Sequence, residues 1–321
     1  MKTIVIGSLN TDLVATGITQ FPKPGEHVYG KELLIGPGGK SRNIADMIAH
    51  LASENSVAMV GRTVEDPYGL WRQPMDALAK IGVNTDYVNV LEYELVNKLP
   101  GIALIPVDQH GNNQIFVLPG VSDDFSTDDI DAASELFEIV ATNNGTLVLT
   151  LECPLKTATY AVQLANKHCL KVMFDPGGIE ATTELSELIA AGIYLMKPNE
   201  HEAKILTGIE VTDFETAKKA AQKLREQGVE NILITAGVNG AYLFTNDIQT
   251  HIAIPDIKAS GEKDETGCGD QTMAALCALL QDGAAISEAA QQAILAGTLQ
   301  FHKRGVQPVA KQELKEAYEA H

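Results

Sequence analysis

Six short apolar runs recur along the 321-residue chain and constrain its fold more than any other feature. Each run is rich in valine, isoleucine and leucine, and each ends in a glycine, a proline or a polar turn. Continuous apolar runs of this length are typical of strands covered on both faces, and therefore of a parallel sheet. The runs are KTIVIGS (2–8), NSVAMVG (55–61), TLVLTLE (146–152), LKVMFDP (170–176), IYLMKPN (193–199) and NILITAG (231–237).

Helical patterns lie between several of these runs, at 41–52, 157–168, 201–208 and 213–228. The last of them ends in Lys, Arg and Gly, as helix C-termini commonly do. Alternation of buried strands with helices predicts an α/β fold, with a mostly parallel central sheet and helices on both faces. We expect one domain over residues 1–321, because the sequence contains no repeat, no low-complexity tract and no interdomain linker.

Two regions, 11–37 and 96–118, interrupt this alternation. Both contain alternating apolar and polar residues, with Pro-Gly and His-Gly-Asn turns, a pattern that indicates β-hairpins. We expect them to project from the sheet edge and to form a small β-sheet lid. An open edge on such a sheet favours pairing with a second copy, so a homodimer formed through the lid is a further hypothesis.

The net charge indicates which binding partners are disfavoured, and the cysteines indicate the cellular compartment. Lys and Arg number 24 and Asp and Glu number 42, which gives a net charge of −18. This charge disfavours binding to nucleic acid or to an anionic membrane. The four cysteines form no CxxC pair, as expected in a reducing cytoplasm. The apolar stretch at residues 4–8 is too short to span a membrane and predicts a buried first strand in a cytoplasmic protein.

The segment Gly38-Gly39-Lys40-Ser41 looks like the end of a phosphate-binding P-loop. That motif requires a glycine five residues before Gly39, where this chain has Leu34, so the loop is incomplete. A dinucleotide oxidoreductase is also disfavoured, since VIGSLN after the first strand lacks the G-x-G-x-x-G fingerprint.

A second glycine-rich turn, Gly267-Cys268-Gly269, precedes Asp270 and an apolar helix that we expect to begin at about Gln271. Free backbone N–H groups and the positive end of the helix dipole make such a turn an anion site. Asp270 has two interpretations, as a helix cap or as a general base. A carboxylate beside an anion site provides what phosphoryl transfer to a hydroxyl needs: a proton acceptor, and donors for the transferred group.

The segment DETGCGD (264–270) resembles the D-T-x-G-A-G-D signature of the ribokinase-like (PfkB-type) carbohydrate kinases. GGKSRN (38–43) resembles the sugar-binding G-G-K-G-x-N signature of the same family. Lesser matches extend the resemblance over essentially the whole chain, and the pattern is most similar to that of the ribokinases within the family. They are VIGSLNTD, LECP, KPNEHE, TAGVNGAY and RGVQP.

The resemblance implies that Asp270 is the catalytic base, beside an anion hole built from three backbone N–H groups. These belong to Gly267, Cys268 and Gly269. The residues implied to bind the sugar are Asn10, Asp12, Gly38, Gly39, Lys40, Asn43 and Glu152. Those implied to bind ATP are Asn199, Thr235, Gly237 and Gly240. Glu202 would position Mg²⁺ through water, and Asp264 would be the carboxylate of a monovalent-cation site.

Several of these residues also have purely structural interpretations. Asn10 and Asp12 are common turn residues. Asn199 and Glu202 have the spacing of a helix cap and its first-turn acid. A nucleophilic role for Cys268 is disfavoured, because phosphoryl transfer to a sugar needs no covalent intermediate.

The function implied by the resemblance is transfer of the ATP γ-phosphoryl group to a primary hydroxyl of a sugar, with ribose the leading acceptor. Fructose, a sugar phosphate or a nucleoside remain open as acceptors, as does a non-catalytic sugar-binding regulator on the same fold.

Four departures from the family pattern bear on these alternatives. Ser41 stands where the family has a glycine, and Arg42 follows it; a cation at 42 would suit a phosphorylated sugar. Gln271 follows the base, and Val309 stands where ribokinases can place a serine, which leaves a K⁺ requirement open.

Overall fold

A computed structural model describes residues 1–53, 55–257 and 263–320. The strands are β1 (Thr3–Ile6), β2 (Asn10–Ile18), β3 (Glu32–Gly38), β4 (Val57–Glu65), β5 (Val88–Glu92), β6 (Gly101–Asp108), β7 (Phe116–Leu118), β8 (Thr146–Thr150), β9 (Lys171–Asp175), β10 (Ile193–Met196), β11 (Val229–Thr235), β12 (Ala241–Phe244) and β13 (Gln249–Ile252). The α-helices are α1 (Lys40–Leu51), α2 (Arg72–Lys80), α3 (Tyr93–Val96), α4 (Thr127–Ala132), α5 (Ser134–Ala141), α6 (Leu155–Lys167), α7 (Ser186–Ala190), α8 (Glu200–Thr207), α9 (Phe214–Glu226), α10 (Cys268–Gln281), α11 (Ile286–Phe301) and α12 (Lys311–Glu319).

The large sheet has the strand order β13-β12-β11-β10-β9-β8-β1-β4-β5. All of its pairs are parallel except β11 with β12 and β12 with β13. The six apolar runs correspond to β1, β4, β8, β9, β10 and β11, which are neighbours in the middle of this sheet. The predicted α/β fold with a mostly parallel central sheet is therefore confirmed.

Apolar side chains fill both faces of the large sheet. In β1, Ile4 and Ile6 belong to one buried cluster and Val5 to the other, because successive side chains of a strand point to opposite faces. The first cluster also contains side chains of α6 and α9, and the second contains those of α1, α10 and α11. Burial on both faces explains why the strand runs are continuously apolar instead of alternating.

A separate small sheet has the order β3-β2-β6-β7 and comes from the two regions that interrupt the α/β pattern. The pairs β2–β3 and β6–β7 are antiparallel, as expected for hairpins. A parallel pairing of β2 with β6 joins them into one sheet. Residues 10–12 and 101–103 lie opposite each other in that pairing, at the end of the small sheet next to β1.

Across the described ranges, no helix is both long enough and apolar enough to cross a membrane. The residues that follow β1, β8, β9, β10 and β11 lie at one edge of the large sheet, because these strands are parallel. Ligands of open α/β sheets bind at this carboxyl edge.

Candidate active site

Asp270 lies in the first turn of α10 and is 5% exposed. The helix begins at Cys268, three residues before the predicted start, because Gly267 has a left-handed φ of 77° and forms the N-terminal cap without a side chain. Within the described residues, the N–H groups of Gly267, Gly269 and Asp270 have no hydrogen-bond acceptor, whereas that of Cys268 donates to the Glu265 carbonyl at 3.2 Å. The turn therefore presents free donors beside a buried carboxylate.

Two residues of α1 hold the Asp270 carboxylate. Asn43 Nδ2 donates to Asp270 Oδ2 at 2.9 Å, and Lys40 Nζ lies 3.8 Å from Oδ1. The Asp270 charge is the main reason that the pKa of Lys40 is raised, so this ammonium stays protonated. The two glycine-rich segments singled out in the sequence thus meet at Asp270, although 227 residues separate Asn43 from it.

Arg42, between those two residues, has its guanidinium bonded within the protein. Its Nη1 donates to Asp46 Oδ2 at 2.8 Å and its Nη2 to the Pro37 carbonyl at 2.7 Å. Nη2 also donates to Asn43 Oδ1. Because the Asn43 oxygen faces Arg42, its NH₂ group faces Asp270. Arg42 is 2% exposed and so orients the asparagine that binds the carboxylate.

Asn10 and Asp12 start strand β2 and face the strands on either side. Asn10 Oδ1 is buried without a hydrogen-bond partner in the described structure, and a Cβ atom at Gly101 would lie 2.0 Å from it. A Cβ atom at Gly38 would lie 1.8 Å from Asp12 Oδ1. The glycines therefore make room for these two polar side chains. A buried oxygen without a partner is unfavourable unless a ligand or water binds it, which supports a ligand-binding role for Asn10.

Glu152, after β8, contacts the start of α1. Its Oε2 accepts the Lys40 backbone N–H at 2.8 Å and the Ser8 hydroxyl. The N-terminal cap of α1 is Gly39, which has no side chain, so the Glu152 carboxylate satisfies a free N–H of the first turn. Burial is the main reason that the pKa of Glu152 is raised, and its bonds to Ser8 and Lys40 act in the opposite direction.

Asp175 and Lys197 form a buried ion pair at the site, although the family resemblance implies no role for either residue. Lys197 Nζ lies 2.8 Å from Asp175 Oδ2, and their side chains are 4% and 5% exposed. Burial acts to raise the pKa of Asp175, but Lys197 and Lys40 outweigh it, so the pKa is lowered. A Cβ atom at Gly269 would lie 3.6 Å from Lys197 Nζ, which places a cation next to the anion turn.

The sequence contains features from which the ion pair of Asp175 and Lys197 could have been predicted. Lys197 ends an apolar run, and a buried lysine requires a nearby carboxylate. Asp175 ends the neighbouring run, and the register Met196↔Phe174 places the next residues of the two strands side by side.

Gly177, two residues after the end of β9, allows Lys40 to reach Asp270. A Cβ atom at Gly177 would lie 2.9 Å from Lys40 Cε and 2.9 Å from Asp175 Oδ1. Any larger residue at 177 would therefore push the lysine stem aside.

Asn199 and Glu202 form a capping box at the start of α8. Asn199 Oδ1 accepts the Glu202 N–H and Glu202 Oε2 accepts the Asn199 N–H, both at 2.8 Å. Asn199 and Glu202 therefore cap the helix, as their spacing in the sequence predicts. Burial raises the pKa of Glu202, Asp175 adds to the effect, and Lys197 and Lys40 oppose it. Glu202 is therefore electrostatically coupled to the groups around Asp270.

Thr235 lies beside this helix start, because its N–H donates to the Pro198 carbonyl at 3.0 Å. The turn that follows it contains Gly237 and Gly240, both with positive φ. Gly240 cannot carry a side chain, since a Cβ atom there would lie 2.0 Å from the Ile252 carbonyl oxygen. The structure brings the four residues expected to bind ATP into one region beside α8.

The remaining unusual positions have structural contacts. Ser41 is fully buried and its Oγ lies 2.9 Å from both the Ile6 carbonyl oxygen and Thr150 Oγ1. Gln271 accepts the Val309 N–H at 2.9 Å. Burial raises the pKa of Cys268 to about 12, with Asp264 adding to the effect, so its thiol is not ionised at neutral pH. Asp264 accepts the backbone N–H groups of Thr266 and Gly305, which lie in two loops beside the anion turn.

The chain is similar over nearly its whole length to known sugar kinases. The model of the pfkB family of carbohydrate kinases matches residues 2–313. The chain belongs to this family. A deoxyribokinase of Salmonella typhi is 30% identical over 311 residues, 96% of this chain and 94% of its own. A ribokinase of Haemophilus influenzae is 29% identical over 303 residues, 94% of this chain and 93% of its own.

Among solved structures, ribokinase of Arabidopsis thaliana complexed with ribose and ATP superimposes with a TM-score of 0.83. It is 27% identical, and the match covers 98% of both chains. Family membership makes this pfkB-family protein a carbohydrate kinase, a phosphotransferase with an alcohol group as acceptor.

Proposed function

We propose that this kinase transfers the γ-phosphoryl group of ATP to the primary hydroxyl of an unphosphorylated sugar, with ribose the first candidate and deoxyribose the second. The observation that carries the proposal is the Asp270 carboxylate, which is oriented by Asn43 and lies beside the free N–H groups of the Gly267 turn. Relatives that phosphorylate ribose or deoxyribose support the same acceptor class.

In this mechanism, Asp270 accepts the proton of the attacking hydroxyl as its oxygen bonds to the γ-phosphorus. The bond from that phosphorus to the bridging oxygen breaks, and ADP leaves. The N–H groups of the Gly267 turn donate to the oxygens of the transferred group, where negative charge is spread in the transition state. Lys197 adds a positive charge next to Gly269. These groups are held in place by buried contacts before the substrates bind, so they need little rearrangement during the reaction.

Glu202 is suited to hold Mg²⁺ through water. Its Oε2 accepts the Asn199 N–H, which leaves the second carboxylate oxygen for a hard cation or its waters. When bound, Mg²⁺ would neutralise charge on the nucleotide phosphates.

The sugar would lie between β2 and the start of α1, with Asn10, Asp12 and Asn43 as its polar contacts. The small sheet would act as a lid that excludes water during transfer. An unphosphorylated acceptor is favoured over a sugar phosphate, because the Arg42 guanidinium is engaged by Asp46, Asn43 and the backbone of β3.

The proposal is tested with a coupled assay of ADP release from Mg-ATP. The acceptors are ribose, deoxyribose, fructose, fructose 6-phosphate, adenosine and 2-keto-3-deoxygluconate. We expect ribose or deoxyribose to give the highest kcat/KM. A preference for fructose 6-phosphate would contradict the assignment of Arg42 as an internal structural cation.

Sugar binding is expected to weaken below pH 6. Burial raises the pKa of Asp12 from 3.8 to about 6, Arg42 opposes this shift, and Glu152 adds to it. Protonation removes an acceptor for sugar hydroxyls, so KM for the sugar should rise as pH falls through this value. The raised pKa means that Asp12 is more easily protonated in the folded state, so its contribution to stability is greatest at low pH and is lost as pH rises to about 6. The expected rise in KM at low pH is therefore not caused by unfolding through Asp12.

KM measured from pH 5 to 8 checks this expectation. Asp12→Asn should remove the rise in KM at low pH, whereas Glu32→Gln, on the exposed part of β3, should retain it. An unchanged pH profile in Asp12→Asn would show that another group is responsible.

We also propose that the enzyme is a homodimer formed through the small sheet. Strands β3 and β7 are open edges whose apolar side chains are about half exposed: Leu33, Leu34, Ile35, Phe116, Val117 and Leu118. Apolar patches of this kind mark interaction surfaces. Sedimentation should give a dimer for the wild type and for Tyr318→Asp on α12, and a monomer for Phe116→Asp. A monomeric wild type would reject the proposal.

A further inference from the structure

Gln300, in the last turn of α11, is fully buried beneath the anion turn. Its Nε2 donates to the carbonyl oxygens of Thr266, at 3.1 Å, and of Gly305, at 2.6 Å. Its Oε1 accepts the Gln307 N–H at 3.3 Å. One carboxamide therefore joins the loop that precedes α10 to the loop that follows α11.

Asp264 joins the same two loops a second time. Its Oδ1 accepts the Thr266 N–H at 2.9 Å and its Oδ2 accepts the Gly305 N–H at 2.7 Å. Its own N–H donates to the Phe301 carbonyl at 2.9 Å. Both carboxylate oxygens are thus already hydrogen-bonded to the backbone.

These residues do not fit the monovalent-cation site that the family resemblance implies at Asp264. A potassium site needs oxygen atoms that can replace the hydration shell of the ion. Here the Thr266 and Gly305 carbonyl oxygens accept from an amide nitrogen, whose hydrogens would face any cation placed between them. Val309, where ribokinases can have a serine, is buried and apolar.

We propose that the Gln300 carboxamide positions the anion turn in place of a monovalent cation, so that phosphoryl transfer does not require K⁺. The carbonyl of Thr266 and the N–H of Gly267 belong to one planar peptide unit. By fixing the direction of that carbonyl, Gln300 fixes the direction of the Gly267 N–H, one of the free donors beside Asp270. Gln300 is a positioning residue and does not itself touch the substrates.

The first test uses the wild-type enzyme and needs no variant. Thermal melting without substrates is compared in potassium chloride and in choline chloride at equal ionic strength. An ion that binds the folded state raises Tm, so we expect equal Tm values in the two salts. A Tm raised specifically by K⁺ would overturn the proposal. The inference rests on the proposed kinase reaction for its kinetic part only, and this measurement remains decisive if no tested sugar is phosphorylated.

The second test measures kinetics with the best acceptor. Wild-type kcat should be the same in both salts within about twofold. Gln300→Ala should lower kcat by about tenfold with little change in KM for the sugar. This loss is smaller than the 10²–10³ typical for loss of an oxyanion donor itself. Gln292→Ala, which removes a side-chain bond to Glu288 on the same helix, is the matched control and should retain wild-type kcat.

If Gln300→Ala does not fold, Gln300→Met provides the same test, because a side chain of similar length without an N–H group cannot donate to the two carbonyls. Activation of wild-type kcat by K⁺ of tenfold or more would contradict the proposal. So would wild-type kcat in a folded Gln300 variant measured in choline chloride.

Discussion

Replacing Asp270 by asparagine is expected to lower kcat by about 10²–10⁴-fold, the usual contribution of a general base. The amide can still accept the Asn43 Nδ2–H that now binds Oδ2, so the first turn of α10 should keep its structure. It cannot take the proton of the attacking hydroxyl, and the loss should therefore appear in kcat more than in KM for either substrate. Acceptor-dependent ADP release measures the effect.

The matched control is Asp282→Asn, at the other end of α10. Asp282 forms an exposed ion pair with Lys311 at 2.9 Å and should not affect turnover. Thermal melting should be nearly unchanged in both variants. If Asp270→Asn turned over sugar at a rate near that of the wild type, Asp270 would not be the base.

Replacing Arg42 by methionine is expected to lower the free energy of unfolding by about 3–5 kcal/mol, the typical result of removing one partner of a buried ion pair. The change would leave the Asp46 carboxylate without its guanidinium and the Pro37 carbonyl without its donor. Asn43 would also lose the contact that orients its amide, so kcat should fall as well. Denaturant unfolding measures the first effect and the ADP assay the second.

Two further variants test whether the loss of stability comes from breaking a buried ion pair or from removing any arginine charge. Arg72→Met removes an exposed pair with Glu65 at 3.8 Å and should change stability by no more than about 0.5 kcal/mol. The double variant Arg42→Met/Asp46→Leu should recover much of the lost stability, because a buried pair replaced as a whole by apolar side chains is often tolerated. A double variant that is less stable than Arg42→Met would contradict this account of the cluster.

The central strands could be predicted from the sequence because burial on both faces produces continuous apolar runs. Strand β5 and the antiparallel strands β12 and β13 were not predicted. They form the two ends of the large sheet, and the exposed residues in β5 and β13 break the apolar runs. The start of α10 was predicted three residues late, because the helix begins with a cysteine and a glycine after a left-handed glycine.

The candidate site was partly predictable. Motifs at strand ends and helix starts identified Asn43, Lys40 and Asp270, whose side chains do meet. Contacts that depend on distant packing were not predictable from the motifs. The orientation of Asn43 by Arg42 is one example, and the joining of two loops by Gln300 is another. The charge of Arg42 suggested a phosphate ligand in the sequence, but its contacts are internal.

The most direct test of the account is a crystal structure with the best acceptor sugar and a non-hydrolysable ATP analogue. The measurement is the distance from the primary hydroxyl oxygen of the sugar to the Asp270 carboxylate. We predict a hydrogen bond of about 2.6–3.2 Å, with the terminal phosphate at the N–H groups of the Gly267 turn. A primary hydroxyl bound to Glu152 or Asp12 instead of Asp270, with the terminal phosphate away from that turn, would contradict the assignment of Asp270 as the base.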